Sequence, residues 1–336
     1  MKKVSIIVPI YNMESFIESG VECLCAQTYN NIEVLLVDDG SSDESYKKCV
    51  EAQKRDSRIR AFTKENEGAG PTRNFGIEAA QGDYAYFFDI DDYLYPNAIE
   101  RLVAAIEEKD TDLVVCSFEL FNGKNITKQI IKCNGLYREG EELRRDYYDH
   151  CFMYEEKGIQ GAAWYKLYKM SIIRENEVLF PYLRRSQDEV FVARYVSHIK
   201  SVYFISDILC RYFVNDNERT WSKFPLSYFS VAKESTAYLM EIVYAWNTEN
   251  IKVRNKILCD YYHKTFLSIW ITFCPRHRLG HIERYRMICD ISKGFVENLP
   301  CRHFGIETAV LYYMIKQRHL RLYLRMALYS LKHRND

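Results

Sequence analysis

Over its first 120 residues the chain alternates apolar runs of strand length with amphipathic runs of helix length, and few folds accommodate that alternation. It implies crossover units that set strands side by side in a mainly parallel sheet. Val4–Val8, Ile32–Val37, Ile59–Thr63, Tyr84–Phe88 and Leu113–Phe118 are the expected strands. Glu14–Ala26, Asp43–Arg55, Pro71–Ala80 and Pro96–Glu107 are the expected helices, with Ser42 as an N-cap and Pro71 in a first turn. From about 120 to 220 the pattern turns mixed, with Trp164–Tyr168 and Ser201–Ile205 as strands and a helix starting near Asp188. Beyond Pro225 amphipathic helical stretches fall near 226–247, 251–273, 281–297 and 304–332. The expected fold is therefore α/β, with a mainly parallel central sheet between helices on both faces, followed by a mostly helical C-terminal region. The expected divisions are 1–120, 121–224 and 225–336.

In open parallel sheets ligands gather at the carboxyl ends of the strands. There this sequence concentrates its polar residues: Pro9-Ile10-Tyr11-Asn12 after the first strand, Asp38-Asp39-Gly40-Ser41-Ser42-Asp43 after the second, and Asp89-Ile90-Asp91-Asp92 after the fourth. An extended Asp89-Ile90-Asp91 would put two carboxylates on one side, where they can reach one ion. Mg²⁺ and Mn²⁺ prefer oxygen ligands and are commonly held by one or two carboxylates plus substrate phosphates. Such an ion neutralises a diphosphate leaving group. Two neighbouring acidic clusters also repel unless a cation or donor separates them.

The composition narrows the function. Net charge is zero from 46 basic and 46 acidic side chains, so no overall field argues for nucleic acid. The 11 cysteines form no C-x-x-C pair and no zinc-spaced quartet, and read as reduced thiols of a cytoplasmic protein. The apolar run before Pro9 is too short for a signal peptide, and no stretch of about 18 uncharged apolar residues suggests a membrane span.

Specific motifs add a resemblance. Val4-Ser5-Ile6-Ile7-Val8-Pro9-Ile10-Tyr11-Asn12, Gln27-Thr28-Tyr29-Asn30-Asn31-Ile32-Glu33 and Val37-Asp38-Asp39-Gly40-Ser41-Ser42-Asp43 are followed by Asn66-Glu67-Gly68, Arg73-Asn74-Phe75-Gly76 and Phe87-Phe88-Asp89-Ile90-Asp91-Asp92. In order and spacing this resembles the family 2 glycosyltransferases of bacterial polysaccharide and lipid-linked glycan synthesis, densely over residues 4–120. The resemblance implies the Rossmann-like GT-A fold, a nucleotide-diphospho-sugar donor, Mn²⁺ or Mg²⁺, and inversion at the anomeric carbon. It places Pro9 and Tyr11 beside the nucleobase and Asp39 as the base-reading carboxylate, which suits a uracil imide N–H and hence a UDP-sugar. It places Arg73 near the donor, Asp89 and Asp91 at the metal and ribose, and Asp92 as an alternative metal ligand. Ser186-Gln187-Asp188-Glu189-Val190-Phe191 resembles the family's Glu-Asp-x-x-Phe signature, with Asp188 as the general base and Gln187 departing from the usual Glu. Trp164–Tyr168 resembles a family segment that precedes the acceptor region. Asn215–Ser222, with Arg219, stands in the place of the loop that closes over the diphosphate.

The acceptor implied is a hydroxyl of a glycan or lipid-linked oligosaccharide. In 304–336 the basic residues Arg318, Arg321, Arg325 and Lys332 share one helical face, which leaves open peripheral contact with the inner face of the plasma membrane as against packing on its own domain. A homodimer stays open too. A dinucleotide-dependent dehydrogenase fits poorly, because Arg73 stands where the fingerprint after Gly68-Ala69-Gly70 needs its third glycine. A nucleotidyltransferase would need a glycine-rich loop after the first strand. A non-catalytic sugar-nucleotide-binding homologue acting as a partner subunit is the alternative; the intact Asp39, Asp89, Asp91 and Asp188 argue against it, and Gln187 is the one feature that keeps it open.

Overall fold

The computed structural model describes residues 1–131, 137–145, 161–214, 224–246 and 251–297. Two compact units divide the chain, Met1–Asn215 and Asp216–Asp336.

In the first unit the strands β1 (Val4–Ile10), β2 (Ile32–Asp38), β3 (Ile59–Thr63) and β4 (Tyr84–Phe87) lie parallel in the order β3-β2-β1-β4. Helices α1 (Ile17–Cys25), α2 (Ser45–Arg55) and α3 (Ala69–Ala79) make the crossovers. Strands β1 and β2 are buried almost end to end, because helices cover both faces of a parallel sheet. That is why both read as unbroken apolar runs. Beyond β4 the order continues through β9 (Lys166–Lys169), β6 (Leu113–Phe121), β10 (Ser201–Phe213) and β5 (Tyr93–Leu94). Strand β9 runs antiparallel to both neighbours, and β10 runs parallel to β6. Short strands β7 (Ile126–Gln129) and β8 (Tyr137–Glu139) pair with β6 and β10. The expected mainly parallel sheet is thus present, with helix α4 (Ala98–Lys109) connecting β5 to β6.

Several local expectations need correction. Helix α2 starts at Ser45, where the Asp43 carboxylate accepts from the Ser45 amide at 3.0 Å. Ser42 is no N-cap: its amide and hydroxyl donate to Asn12 Oδ1 at 2.9 and 3.3 Å. Trp164 and Tyr165 lie outside β9, since Tyr165 adopts a positive φ of 54° that a strand cannot continue through. Strand β10 runs past Ile205 to Phe213, with register shifts around Ile208. The two-residue β5 carries too little pattern to be read from sequence. The short helices α5 (Gly140–Arg145) and α6 (Met170–Glu175) precede α7 (Gln187–Val196).

Aromatic packing fixes α7 against the end of β4. Phe180 and Phe191 stack at 3.9 Å, and Phe87 meets both edge-on at 5.1 and 5.2 Å. Each such contact contributes about 0.5–1.5 kcal/mol beyond buried area.

The second unit contains α8 (Tyr228–Ala245), α9 (Ile251–Ile271) and α10 (His281–Glu297), close to the expected stretches. Its core groups Ala232, Tyr261 and Phe295, and beside them Ile269, Ile288 and Ile291. The fourth stretch, 304–332, and Arg219 lie outside the described residues. Among the described residues no helix is long and apolar enough to cross a membrane.

Gly20 shows how closely α1 approaches the turn after β4. A Cβ there would lie 2.6 Å from the Ile90 carbonyl oxygen and 2.5 Å from Ile90 Cδ1. Alanine in a helix interior normally gains about 0.5–1 kcal/mol over glycine. Here the backbone cannot yield, and overpacking costs about 1–3 kcal/mol. Gly20→Ala is therefore expected to lower the thermal midpoint in a calorimetric melt, and an unchanged or higher midpoint would refute the close approach.

Candidate active site

Loops from the carboxyl ends of β1, β2 and β4 meet on one edge of the sheet. Asn12, in the left-handed region at φ 52°, ties two of them together. Its amide donates to Ser41 Oγ at 2.9 Å, while its side chain accepts from the Ser42 amide. Asp38 closes the second loop by accepting from Thr63 Oγ1 at 2.9 Å and the Ser41 amide at 3.3 Å. Pro9, the last residue but one of β1, is partly buried, and Tyr11 just past the strand stands outward, 49% exposed.

Asp39 is buried and fully engaged. It accepts from Lys64 Nζ at 3.0 Å, the Glu67 amide at 3.0 Å and the Gly68 amide at 2.7 Å. Burial raises its carboxyl, yet these donors outweigh burial and hold it below the usual carboxylate range. Gly68, at φ 99° and ψ 168°, occupies a region open essentially to glycine and leads directly into α3. Asp39 thus fixes the approach to the helix that carries Arg73.

Arg73 joins the halves of the site. Its Nη2 donates to Asp89 at 2.8 Å and its Nη1 to Asp188 at 3.0 Å, while its guanidinium lies over the Phe180 ring at 5.5 Å. The side chain is almost wholly buried, and its Nε has no hydrogen-bond partner among the described residues. Asp188, in the first turn of α7, also accepts from the Ala163 amide at 3.4 Å. Burial pushes the Asp188 carboxyl up, against the pull of Arg73 in the other direction. Beside it, Gln187 Oε1 is buried with no partner among the described residues.

The acidic segment after β4 is a turn, not the extended stretch expected, because the Asp92 amide donates to the Asp89 carbonyl at 3.0 Å. The reason is Ile90, only 2% exposed, which packs inward into the space Gly20 leaves. Burial, then the Asp89 charge, raises Asp91. Burial, then Asp89 and Asp91, pushes Asp92 up to about 9, although Asp92 accepts from the Phe213 amide at 3.1 Å.

Among the described residues no closed cluster of three or more His, Cys, Asp or Glu side chains stands ready for an ion. The acidic turn nevertheless fits a hard divalent cation held by one or two carboxylates and completed by phosphate oxygens. Its donors are carboxylate oxygens that destabilise one another's charge, and Arg73 engages only Asp89 among them.

Two contributors were not singled out in the sequence. Lys64 neutralises Asp39, and its signal was a lysine directly after the third strand. Fully buried Lys166 donates to the Ala162 carbonyl at 2.6 Å and lies 3.6 Å from the Tyr165 ring centroid, pulling Asp188 down. Its signal was a cation inside an aromatic run.

Residues 5–172 match the family described as Glycosyl transferase family 2, and the chain belongs to that family of glycosyltransferases. It is 33% identical over 226 residues to the putative glycosyltransferase EpsH of Bacillus subtilis, covering 62% of this chain and 63% of EpsH, under two thirds of that relative's length. It is 29% identical over 318 residues to glycosyltransferase GlyG of Streptococcus pneumoniae, covering 88% and 96%. The S. aureus TarS structure in complex with UDP-GlcNAc superposes with a TM-score of 0.63 at 18% identity, over 89% of this chain and 82% of that one, which shows the shared GT-A fold.

The raised Asp92 carries a pH signature. A carboxyl near 9 in the folded protein and about 4 in the unfolded chain keeps a proton that the unfolded chain releases. Folded stability therefore falls as pH rises from about 4 towards about 9. Asp92→Asn removes this term. With divalent ions chelated, the mutant's thermal midpoint is expected to exceed wild type at alkaline pH and to converge with it near pH 4, as scanning fluorimetry across pH would show; parallel pH profiles would contradict the burial of this carboxyl.

Proposed function

We propose that the protein transfers a sugar from a UDP-sugar, with a divalent metal, to a hydroxyl of a glycan or lipid-linked glycan acceptor, inverting the anomeric carbon. The observation that carries this reading is the single guanidinium of Arg73 spanning Asp188 and Asp89, which brings a candidate base and a candidate diphosphate-metal site within one side chain's reach. In this reading Asp89, Asp91 and Asp92 hold Mn²⁺ or Mg²⁺, which when bound neutralises the departing diphosphate. Tyr11 and Pro9 flank the uracil. Asp39, its oxygens taken up by Lys64 and the Glu67 and Gly68 amides, holds the base-side loop in shape. TarS, bound to UDP-GlcNAc, supports a uridine donor.

Inversion requires the acceptor oxygen to attack opposite the leaving diphosphate, losing its proton as the bond forms. Asp188 receives that proton. Its raised carboxyl suits the task, because a carboxylate pushed up by burial has a higher affinity for the acceptor's proton. Arg73 keeps the carboxylate aimed and ionised until the acceptor arrives, and it draws Asp89 to the same point.

Asp188→Asn is expected to leave UDP affinity nearly intact and to lower turnover by roughly two to four orders of magnitude, the worth of a positioned general base. Glu189→Gln, one residue along the helix and about 100° around it, should remain active. Loss of transfer in Glu189→Gln with activity retained in Asp188→Asn would move the base. Asp91→Asn should weaken Mn²⁺-dependent UDP binding in titration calorimetry, and an unchanged metal response would remove this turn as the metal site.

A further inference from the structure

We infer that Trp164 and Tyr212 form a stacking platform for the acceptor, and that the acceptor therefore presents a pyranose ring to the site. This rests on the proposed role of Asp188 as base. The two rings lie nearly parallel, with centroids 5.4 Å apart and planes 14° apart. Trp164 is half-buried and Tyr212 is 38% exposed, whereas the neighbouring Tyr165 and Tyr168 are fully buried. Phe118 and Tyr165 brace Trp164 edge-on, each at 4.7 Å. The pair is thus held from behind while part of its surface stays open.

Its position decides what it would meet. Trp164 directly follows Ala163, whose amide donates to Asp188. Tyr212 directly precedes Phe213, whose amide donates to Asp92. The platform therefore runs from the backbone that holds the base to the backbone that holds the acidic turn. Burial, then the charges of Asp92, Asp89 and Asp91, raises the Tyr212 hydroxyl, in keeping with that placement. The register shifts around Ile208 lie just before Tyr212, and such irregularities commonly re-aim side chains beside active sites. An inverting attack brings the nucleophile to the face opposite the diphosphate, so the surface continuous with the base receives the acceptor. A pyranose offers an apolar C–H face to an aromatic plane and hydroxyls around its edge, where Asp188 can take one proton. An acyclic polyol phosphate has no such face.

Saturation-transfer NMR on the full chain with UDP and Mg²⁺, which is diamagnetic, tests this, using methyl glucoside, methyl galactoside and methyl N-acetylglucosaminide against glycerol phosphate and ribitol phosphate. At least one pyranoside should take up saturation at its ring C–H protons. Trp164→Ala should reduce that signal by about three- to tenfold, the range an aromatic contact is worth, with UDP affinity unchanged. Trp164→Phe should retain most of it. Should Trp164→Ala fail to fold, Tyr212→Ala serves as the truncated variant with the same expectation. UDP binding without pyranoside saturation, saturation of polyol phosphates alone, or signals unaffected by truncation would overturn the platform. Failure of the wild type to bind UDP with Mg²⁺ would overturn the donor reading itself, and the platform with it.

Discussion

The Arg73 guanidinium, nearly cut off from water, sits between the carboxylates of Asp89 and Asp188. Removing a cation from water costs several kcal/mol unless partners replace the lost hydration. These two carboxylates do so, and in return each gains a buried counter-charge. The arrangement draws together the start of α3, the turn after β4 and the start of α7. The halves of the first unit are thereby tied by charge as well as by the Phe87, Phe180 and Phe191 packing. Loss of Arg73 would take this partner from both carboxylates at once.

Around that bridge the site is only partly satisfied. The Nε of Arg73 and the Oε1 of Gln187 have no partner among the described residues, and burial together with the Asp89 charge raises both Asp91 and Asp92. By contrast, Asp39 is saturated with donors. The contrast separates two kinds of acidic residue in one edge of one sheet. Asp39 spends its oxygens on shaping the loop before α3, whereas Asp91 and Asp92 in the 89–92 turn are carboxyls whose ionisation burial and the Asp89 charge disfavour. Buried groups left wanting partners concentrate where a ligand is to supply them.

Much of the fold was legible because the parallel sheet imposes its own grammar. Strands covered on both faces read as continuous apolar runs, and polar residues collect where those runs stop. Hence β1 to β4 and the three loops after β1, β2 and β4 could be placed from residues alone. What the pattern misjudged was local competition. Ser42 looked like a cap, but α2 begins three residues on at Ser45, whose amide donates to Asp43, while Ser42 turns to Asn12 from another loop. The Asp89-Ile90-Asp91 segment looked extended, but burial of Ile90 over Gly20 folded it into a turn.

The sequence by itself determined the sheet, the polar loops on its edge and the family motifs, since periodicity and short-range spacing report which residues face inward and where strands end. Only the tertiary structure decided that Arg73 grips Asp188, 115 residues away, and that Trp164 lies flat against Tyr212. Those pairings arise from β9 inserting antiparallel between β4 and β6 and from α7 docking on the end of β4. A window of sequence carries no record of which distant element packs beside it, because that choice is made by the summed burial of the whole unit.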